Sequence, residues 1–148
     1  MIYLDNAATT ALSPAAIQAM TKTMTVFGNP SSTHSHGREA SKLLRQARED
    51  IAQALHTQSN KILFTSGGTE SNNTAIKGYA LRHQNRGKHI VTTAIEHHAV
   101  LEVVEYLVDK FGFEATFVQP VDGQIRAADI KKALRPDTIP VSYTHLTL

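Results

Sequence analysis

An α/β fold with a largely parallel central sheet is the architecture this sequence predicts, and three observations carry the prediction. Short apolar runs at residues 61–65, 89–93 and 114–118 alternate with amphipathic helical stretches. Small polar or glycine-containing loops follow the first two runs, as the carboxyl ends of parallel strands require. The 148 residues are 41% hydrophobic and 19% charged, the balance of an ordered globular chain rather than a disordered one.

The elements follow in order. Ile2-Tyr3-Leu4 is a short apolar start that runs into the polar turn Asp5-Asn6. Ser13-Pro14 reads as an N-cap with proline at the first helical position. Ile17, Met20, Thr21 and Met24 follow at helical spacing, Gly28 is positioned to stop the helix, and the two methionines read as core. Asn29-Pro30-Ser31-Ser32 is a turn. A second helix is expected over 38–55, with Ala40, Leu43, Leu44, Ala47, Ile51 and Leu55 in one stripe and Arg45, Arg48, Glu49 and Asp50 on a solvated face. The run 61–65 reads as a buried strand, and a helix carrying Ala75, Ile76, Tyr79 and Ala80 follows it. Residues 89–93 read as a strand and 97–111 as a helix stopped by Gly112. Residues 114–118 read as a third strand, Asp122-Gly123 as a turn, and 126–134 as a short helix before Pro136.

Composition excludes several functions. The formal charge is +2 and the basic residues are scattered, so a nucleic-acid footprint is absent. There is no cysteine, which removes disulfides, thiolate metal sites and a thiol nucleophile from this stretch. No signal peptide and no run of membrane-spanning length is visible, so the cytoplasm is the expected compartment and no membrane partner is expected.

Two loops could carry chemistry. In Thr65-Ser66-Gly67-Gly68-Thr69-Glu70-Ser71-Asn72-Asn73, paired glycines and hydroxyl residues lead into a helix. Glycine admits close approach of a ligand, the helix N-terminus offers free N–H groups, and Thr69 adds a hydroxyl, so the loop can cradle phosphate. It lacks the Walker A ending and the dinucleotide glycine spacing, and a plain glycine turn with a threonine cap fits the same residues. In Ala94-Ile95-Glu96-His97-His98-Ala99-Val100, adjacent histidines suggest ring stacking and proton handling, or metal. Metal ligation is the poorer fit, because neighbouring side chains diverge on a helix and no spaced partner completes a site. A polar helix start with Glu96 favoured by the dipole is the plain alternative.

Taken in order, Leu4-Asp5-Asn6-Ala7-Ala8-Thr9-Thr10, Asn29-Pro30-Ser31-Ser32, Thr65-Ser66-Gly67-Gly68-Thr69-Glu70 and Glu96-His97-His98-Ala99-Val100 resemble the successive signatures of NifS/IscS-type cysteine desulfurases. These are fold-type I pyridoxal-phosphate enzymes within the class V aminotransferase family, and the resemblance runs from about residue 2 to about residue 139. It implies the large domain of an aspartate aminotransferase-like, PLP-dependent transferase, truncated. Residues 1–12 would belong to the small domain and 13–140 to the cofactor-binding domain. It further implies that Gly68 and Thr69 hold the phosphate of pyridoxal 5'-phosphate. His97 would stack on its ring and move protons, while His98 falls at a variable position. The segment 5–10 would lie near the substrate entrance without a catalytic role.

The implied reaction removes sulfur from L-cysteine to give alanine and a protein persulfide, used for iron–sulfur clusters or thiolated cofactors. A sulfur-acceptor or scaffold protein and a second copy, in a homodimer, are the implied partners. In the family the Schiff-base lysine, the aspartate facing the ring nitrogen, the substrate-binding arginine and the nucleophilic cysteine all come later than residue 148. Residues 141–148 resemble a translated library-adaptor sequence and are expected not to be native, so His145 is not read as a ligand. The chain is then an N-terminal fragment, expected to be inactive and aggregation-prone alone. A selenocysteine lyase or other class V enzyme, a non-catalytic phosphate-binding domain, and a metal hydrolase built on His97 and His98 stand as alternatives.

Overall fold

The computed structural model describes residues 2–6 and 8–142. The chain forms two compact units, Met1–Leu63 and Phe64–Leu148.

The first unit is helical. α1 (Pro14–Thr23) starts as the sequence predicts, with Ser13 Oγ accepting from the Ala16 amide at 3.2 Å and proline at the first position. It ends well before Gly28. That glycine serves a close approach instead, since a Cβ there would sit 2.3 Å from the His36 carbonyl oxygen. Gly37 is equally constrained, with Ser32 O at 2.2 Å from its would-be Cβ. The turn at 29–32 is thereby pressed onto the start of α2 (Ser35–Ala54), which begins three residues before the expected position 38 and is capped by His34 Nδ1. A turn of 3-10 helix at Ser59–Lys61 closes the unit.

The run 61–65 is not a strand. Ile62 has extended dihedrals (φ −92°, ψ 120°), yet no strand among the described residues pairs with it, and Leu63 and Phe64 are exposed. Extended backbone becomes a strand only when a neighbour takes its hydrogen bonds. Part of that role falls to Arg48, whose Nε donates to the Ile62 carbonyl at 3.2 Å, so Arg48 is not simply solvated. Met20 and Met24, expected in a core, are 51% and 81% exposed. Two helices without a second layer cannot cover their own apolar stripes.

The second unit is an α/β sandwich. α3 (Gly68–His83) precedes β1 (His89–Thr93), then come α4 (His98–Phe111), β2 (Glu114–Val118), α5 (Ala127–Ala133) and β3 (Thr138–Ser142). The sheet order is β2-β1-β3 and both pairings are parallel. β1 is central, and all five of its residues are buried. The pleat sends Ile90 to one face, where it packs with Ala80, Val103, Val104, Leu107 and Phe113 beneath α3 and α4. Val91 goes to the other face and packs with Val118 and Ile130 under α5. The β1–β3 register shifts between His89 and Val91, opposite Pro140, which has no N–H to give the ladder. The strands 89–93 and 114–118 and the stop at Gly112 (φ +66°) match the sequence reading. So does the turn at Asp122-Gly123, where positive φ at both residues closes a tight hairpin turn. Residues 143–148, and with them most of the suspected non-native segment and His145, lie outside the described residues.

Candidate functional site

α4 and α5 leave the sheet toward opposite faces, and this splits the loops that follow β1 and β2. In an open parallel sheet, such a divergence leaves a crevice beyond the carboxyl ends of the strands. The Ala94 amide still bonds Val118 O at 3.0 Å, closing the last rung before the loops part. The N-termini of α3 and α4 lie on this edge. α3 enters β1 from its C-terminal end and α4 leaves β1 from its N-terminal end, so both present their positive ends beside the end of β1.

α3 begins at Gly68 with Gly67 as N-cap, and Gly67 is fully extended (φ 168°), a conformation open to any residue. Neither glycine is demanded by the protein's own packing, because a Cβ at either would meet nothing within 4 Å. The open space lies directly over the first turn of the helix. Among the described residues no protein group bonds the Thr69 hydroxyl, and Asn73 Nδ2 instead takes the Thr69 carbonyl at 2.9 Å. Free amides, a free hydroxyl and cleared space at a helix N-terminus fit a phosphate. The loop before it is braced from within. Ser66 donates its amide (2.7 Å) and its hydroxyl (2.6 Å) to Glu70 Oε2, while Thr65 and Ser71 share a 2.6 Å hydroxyl contact. The Ser66 hydroxyl, followed by its amide, holds the Glu70 carboxyl below the usual carboxylate range.

His97 is not the first helical residue that its position suggests but the N-cap of α4. Its Nδ1 accepts from the Ala99 amide at 3.1 Å. Its ring is exposed, with the His98 ring edge-on at 6.0 Å. Glu96, expected at a polar helix start, is buried and accepts from Thr93 Oγ1 at 2.9 Å, tying the loop across its own base. This brace is not among the features expected from the sequence. The three-residue spacing of hydroxyl and carboxylate at a strand-to-helix turn is the signal that could have found it.

α3 and α4 run side by side along a cleft of about 230 Å³. Thr69, Asn73 and Lys77 line one side, and His98, Glu102 and Tyr106 the other. Lys77 Nζ sits 4.3 Å from the centre of the Tyr106 ring. Of the expected site residues, Thr69 therefore shares a cleft with His98, while Gly68 and His97 lie one residue outside its lining. No group of three potential metal ligands comes together among the described residues.

The other ionisable groups with shifted pKa values sit at the opposite, amino edge of the sheet. His89 bridges all three strands, with Nδ1 at 2.7 Å from Thr138 Oγ1 and Nε2 at 2.9 Å from Thr116 Oγ1. Burial, then the nearby Arg135 cation, lowers its pKa against the opposing pull of Asp137 and Glu114. Arg135 grips Asp137 through two 2.9 Å bonds and also reaches Glu114. This cluster is remote from the carboxyl edge and fastens the sheet.

Comparison with known proteins gives the family of the chain. Residues 2–147 match the family described as Aminotransferase class-V. The chain is 52% identical over 147 residues to cysteine desulfurase IscS of Dictyoglomus turgidum, covering 97% of this chain and 37% of that protein. Among solved structures it is similar to a NifS-like protein at 38% identity and TM-score 0.84, covering 93% of this chain and 38% of that one. It is also similar to SspA in complex with cysteine, at 35% identity and TM-score 0.83, covering 95% of this chain and 41% of that one. The chain thus spans little more than a third of the length of the curated relative, 37%.

Proposed function

This chain belongs to the aminotransferase class-V family, and on that premise we propose that it forms the N-terminal part of a pyridoxal 5'-phosphate-dependent cysteine desulfurase. The observation that carries the reading is the first turn of α3. Among the described residues nothing lies within 4 Å of a Cβ placed at either of the two glycines there, which leaves open space over the first amides of the helix. The relatives named desulfurases, and the structure holding cysteine, make L-cysteine the substrate of choice.

Gly68 and Thr69 would hold the cofactor phosphate with backbone amides and the Thr69 hydroxyl, neutralised by the α3 dipole. His97, at the head of α4, would lie against the ring. Bound there, the cofactor would supply an electron sink for chemistry at the substrate's α-carbon and β-carbon. The chain's own residues orient and exclude. Glu96 and Thr93 fix the loop that carries His97, and Ser66 and Glu70 fix the phosphate turn. This chain has no cysteine, so the thiol that takes the sulfur as a persulfide lies elsewhere in the proposed protein. The resemblance to the family implies the same of the Schiff-base lysine, the aspartate and the arginine that the chemistry needs. We assign residues 1–12 to the small domain, 13–140 to the cofactor-binding domain, the active form to a homodimer with a sulfur-acceptor partner, and the compartment to the cytoplasm. Among the described residues no helix is long and apolar enough to cross a membrane.

The test uses the full-length gene product, with cofactor absorbance and the release of alanine from cysteine as readouts. Thr69→Ala should weaken cofactor binding roughly 10- to 100-fold, the worth of one hydrogen bond to a charged group. A full-length protein that binds no pyridoxal phosphate would leave a phosphate-binding domain without this chemistry. One that prefers selenocysteine would be the lyase.

A further inference from the structure

The turn that leads into α3 has little to pack against. Residues 66–70 are all exposed, and a Cβ at Gly67 or Gly68 would meet nothing within 4 Å. Glycine loses more backbone freedom on ordering than any other residue, and here two stand together. Apolar contact does not hold such a segment, so its shape rests on hydrogen bonds. Those bonds come from within the turn. Ser66 donates its amide, at 2.7 Å, and its hydroxyl, at 2.6 Å, to a single oxygen of Glu70, Oε2. The Thr65 and Ser71 hydroxyls, 2.6 Å apart, reach the Gly67 carbonyl oxygen at 3.2 and 3.1 Å. The hydroxyls of Thr65, Ser66 and Ser71 are thus spent on the turn itself. The first amides of α3, which have no acceptor within the helix, are not. The Ser66 hydroxyl, then its amide, lowers the Glu70 pKa, so the carboxyl is an anion at neutral pH. Like charge opposes a phosphate, so what this anion contributes there is shape.

We propose that Glu70 is a positioning residue for the phosphate site. By tying both Ser66 donors to one carboxylate oxygen, it holds the Gly67-Gly68 turn open over the first amides of α3 before a ligand arrives. It acts through the turn and does not itself touch the phosphate. The inference rests on the desulfurase reading and deepens its account of how the phosphate is held.

Reconstituting the full-length apoenzyme with pyridoxal 5'-phosphate or with pyridoxal isolates the phosphate's share of binding. The ratio of the two affinities reads the phosphate site, whereas a general loss of stability lowers both affinities alike. Glu70→Ala should cut the ratio about 10-fold, the cost of ordering about one more backbone residue on binding, and leave the affinity for pyridoxal unchanged. Glu70→Gln keeps an acceptor oxygen for both Ser66 donors and removes the charge, so its ratio should stay within about threefold of wild type. Ser66→Ala loses the hydroxyl bond and keeps the amide bond. It should cut the ratio by about threefold alone and by nothing further in the Glu70→Ala background, since the two residues act as one unit. Ser66→Ala carries the same test should Glu70→Ala not fold. A Glu70→Ala ratio equal to that of wild type overturns the proposal. So does a glutamine variant as weak as alanine, which would assign the effect to charge and not to shape. A wild-type apoenzyme that gains no cofactor absorbance overturns the desulfurase reading itself. That outcome is distinct from a wild type that prefers the phosphorylated cofactor while Glu70→Ala prefers it equally.

Discussion

Thr92 shows how sharply a single atom can be out of place in a central strand. Its Oγ1 is fully buried and has no hydrogen-bond partner among the described residues. A hydroxyl left in that state costs about 1–3 kcal/mol. Thr92→Val, which keeps the shape and removes the hydroxyl, should therefore stabilise the full-length protein by about 1 kcal/mol. Urea denaturation of the two forms measures this, and a destabilised valine variant would mean that the hydroxyl has a partner outside the described residues. Thr93, one residue on, shows the contrast. It is just as buried, but its hydroxyl is used, holding Glu96 at 2.9 Å and so fixing the base of the loop that carries His97.

At the scale of elements, the sheet is fastened at its amino edge and left open at its carboxyl edge. His89 ties β1 to both neighbours through Thr116 and Thr138, and Arg135 ties the start of β2 to the approach of β3 through Glu114 and Asp137. Gly87 lets that approach come close, since a Cβ there would lie 2.1 Å from the Asp137 carbonyl oxygen. Because burial and Arg135 lower the His89 pKa, the unfolded chain binds the proton more readily than the folded one. Stability therefore falls as pH drops below the ordinary histidine value of 6.5 and continues to fall until the folded-state pKa is passed. The lowered carboxyl of Asp137 adds a loss in the same direction at more acidic pH. Denaturation midpoints of the full-length protein between neutral and mildly acidic pH should show this slope, and His89→Gln should flatten it. An equal slope in the variant would place the pH sensitivity elsewhere.

For the whole molecule, the two units differ in how much of their apolar surface they cover. The sheet unit has a core on both faces of β1. The helical unit leaves Phe27, Met24 and Leu63 at 83%, 81% and 69% exposure, and a groove of about 500 Å³ between α1 and α2 is lined by Leu43, Leu44, Val26 and Ala47. Apolar surface exposed to this extent drives association in water. Expressed as these 148 residues alone, the chain should bind a hydrophobic dye strongly and elute as aggregate on size exclusion. A monomer with a single cooperative melt would contradict this.

Local pattern alone determined the elements whose signals are local. β1 and β2, the cap at Ser13, the stop at Gly112 and the turn at Asp122-Gly123 follow from side-chain periodicity and from the dihedrals that particular residues allow. The ordered motifs were enough to point to the family, because their spacing reflects a fold that the chain need not complete. What pattern could not supply was anything that depends on a neighbour distant in sequence. Residues 61–65 have the composition of a strand, but Lys61 ends the 3-10 turn and no strand among the described residues takes the ladder bonds of the residues that follow. Gly28 looked like a helix stop, and only the approach of His36 shows that it is a packing position. His97 and Glu96 looked like a polar helix start, whereas the fold makes one a cap and buries the other. Burial and hydrogen-bond partnership are properties of pairs of residues, and the sheet and helices must be assembled before those pairs exist.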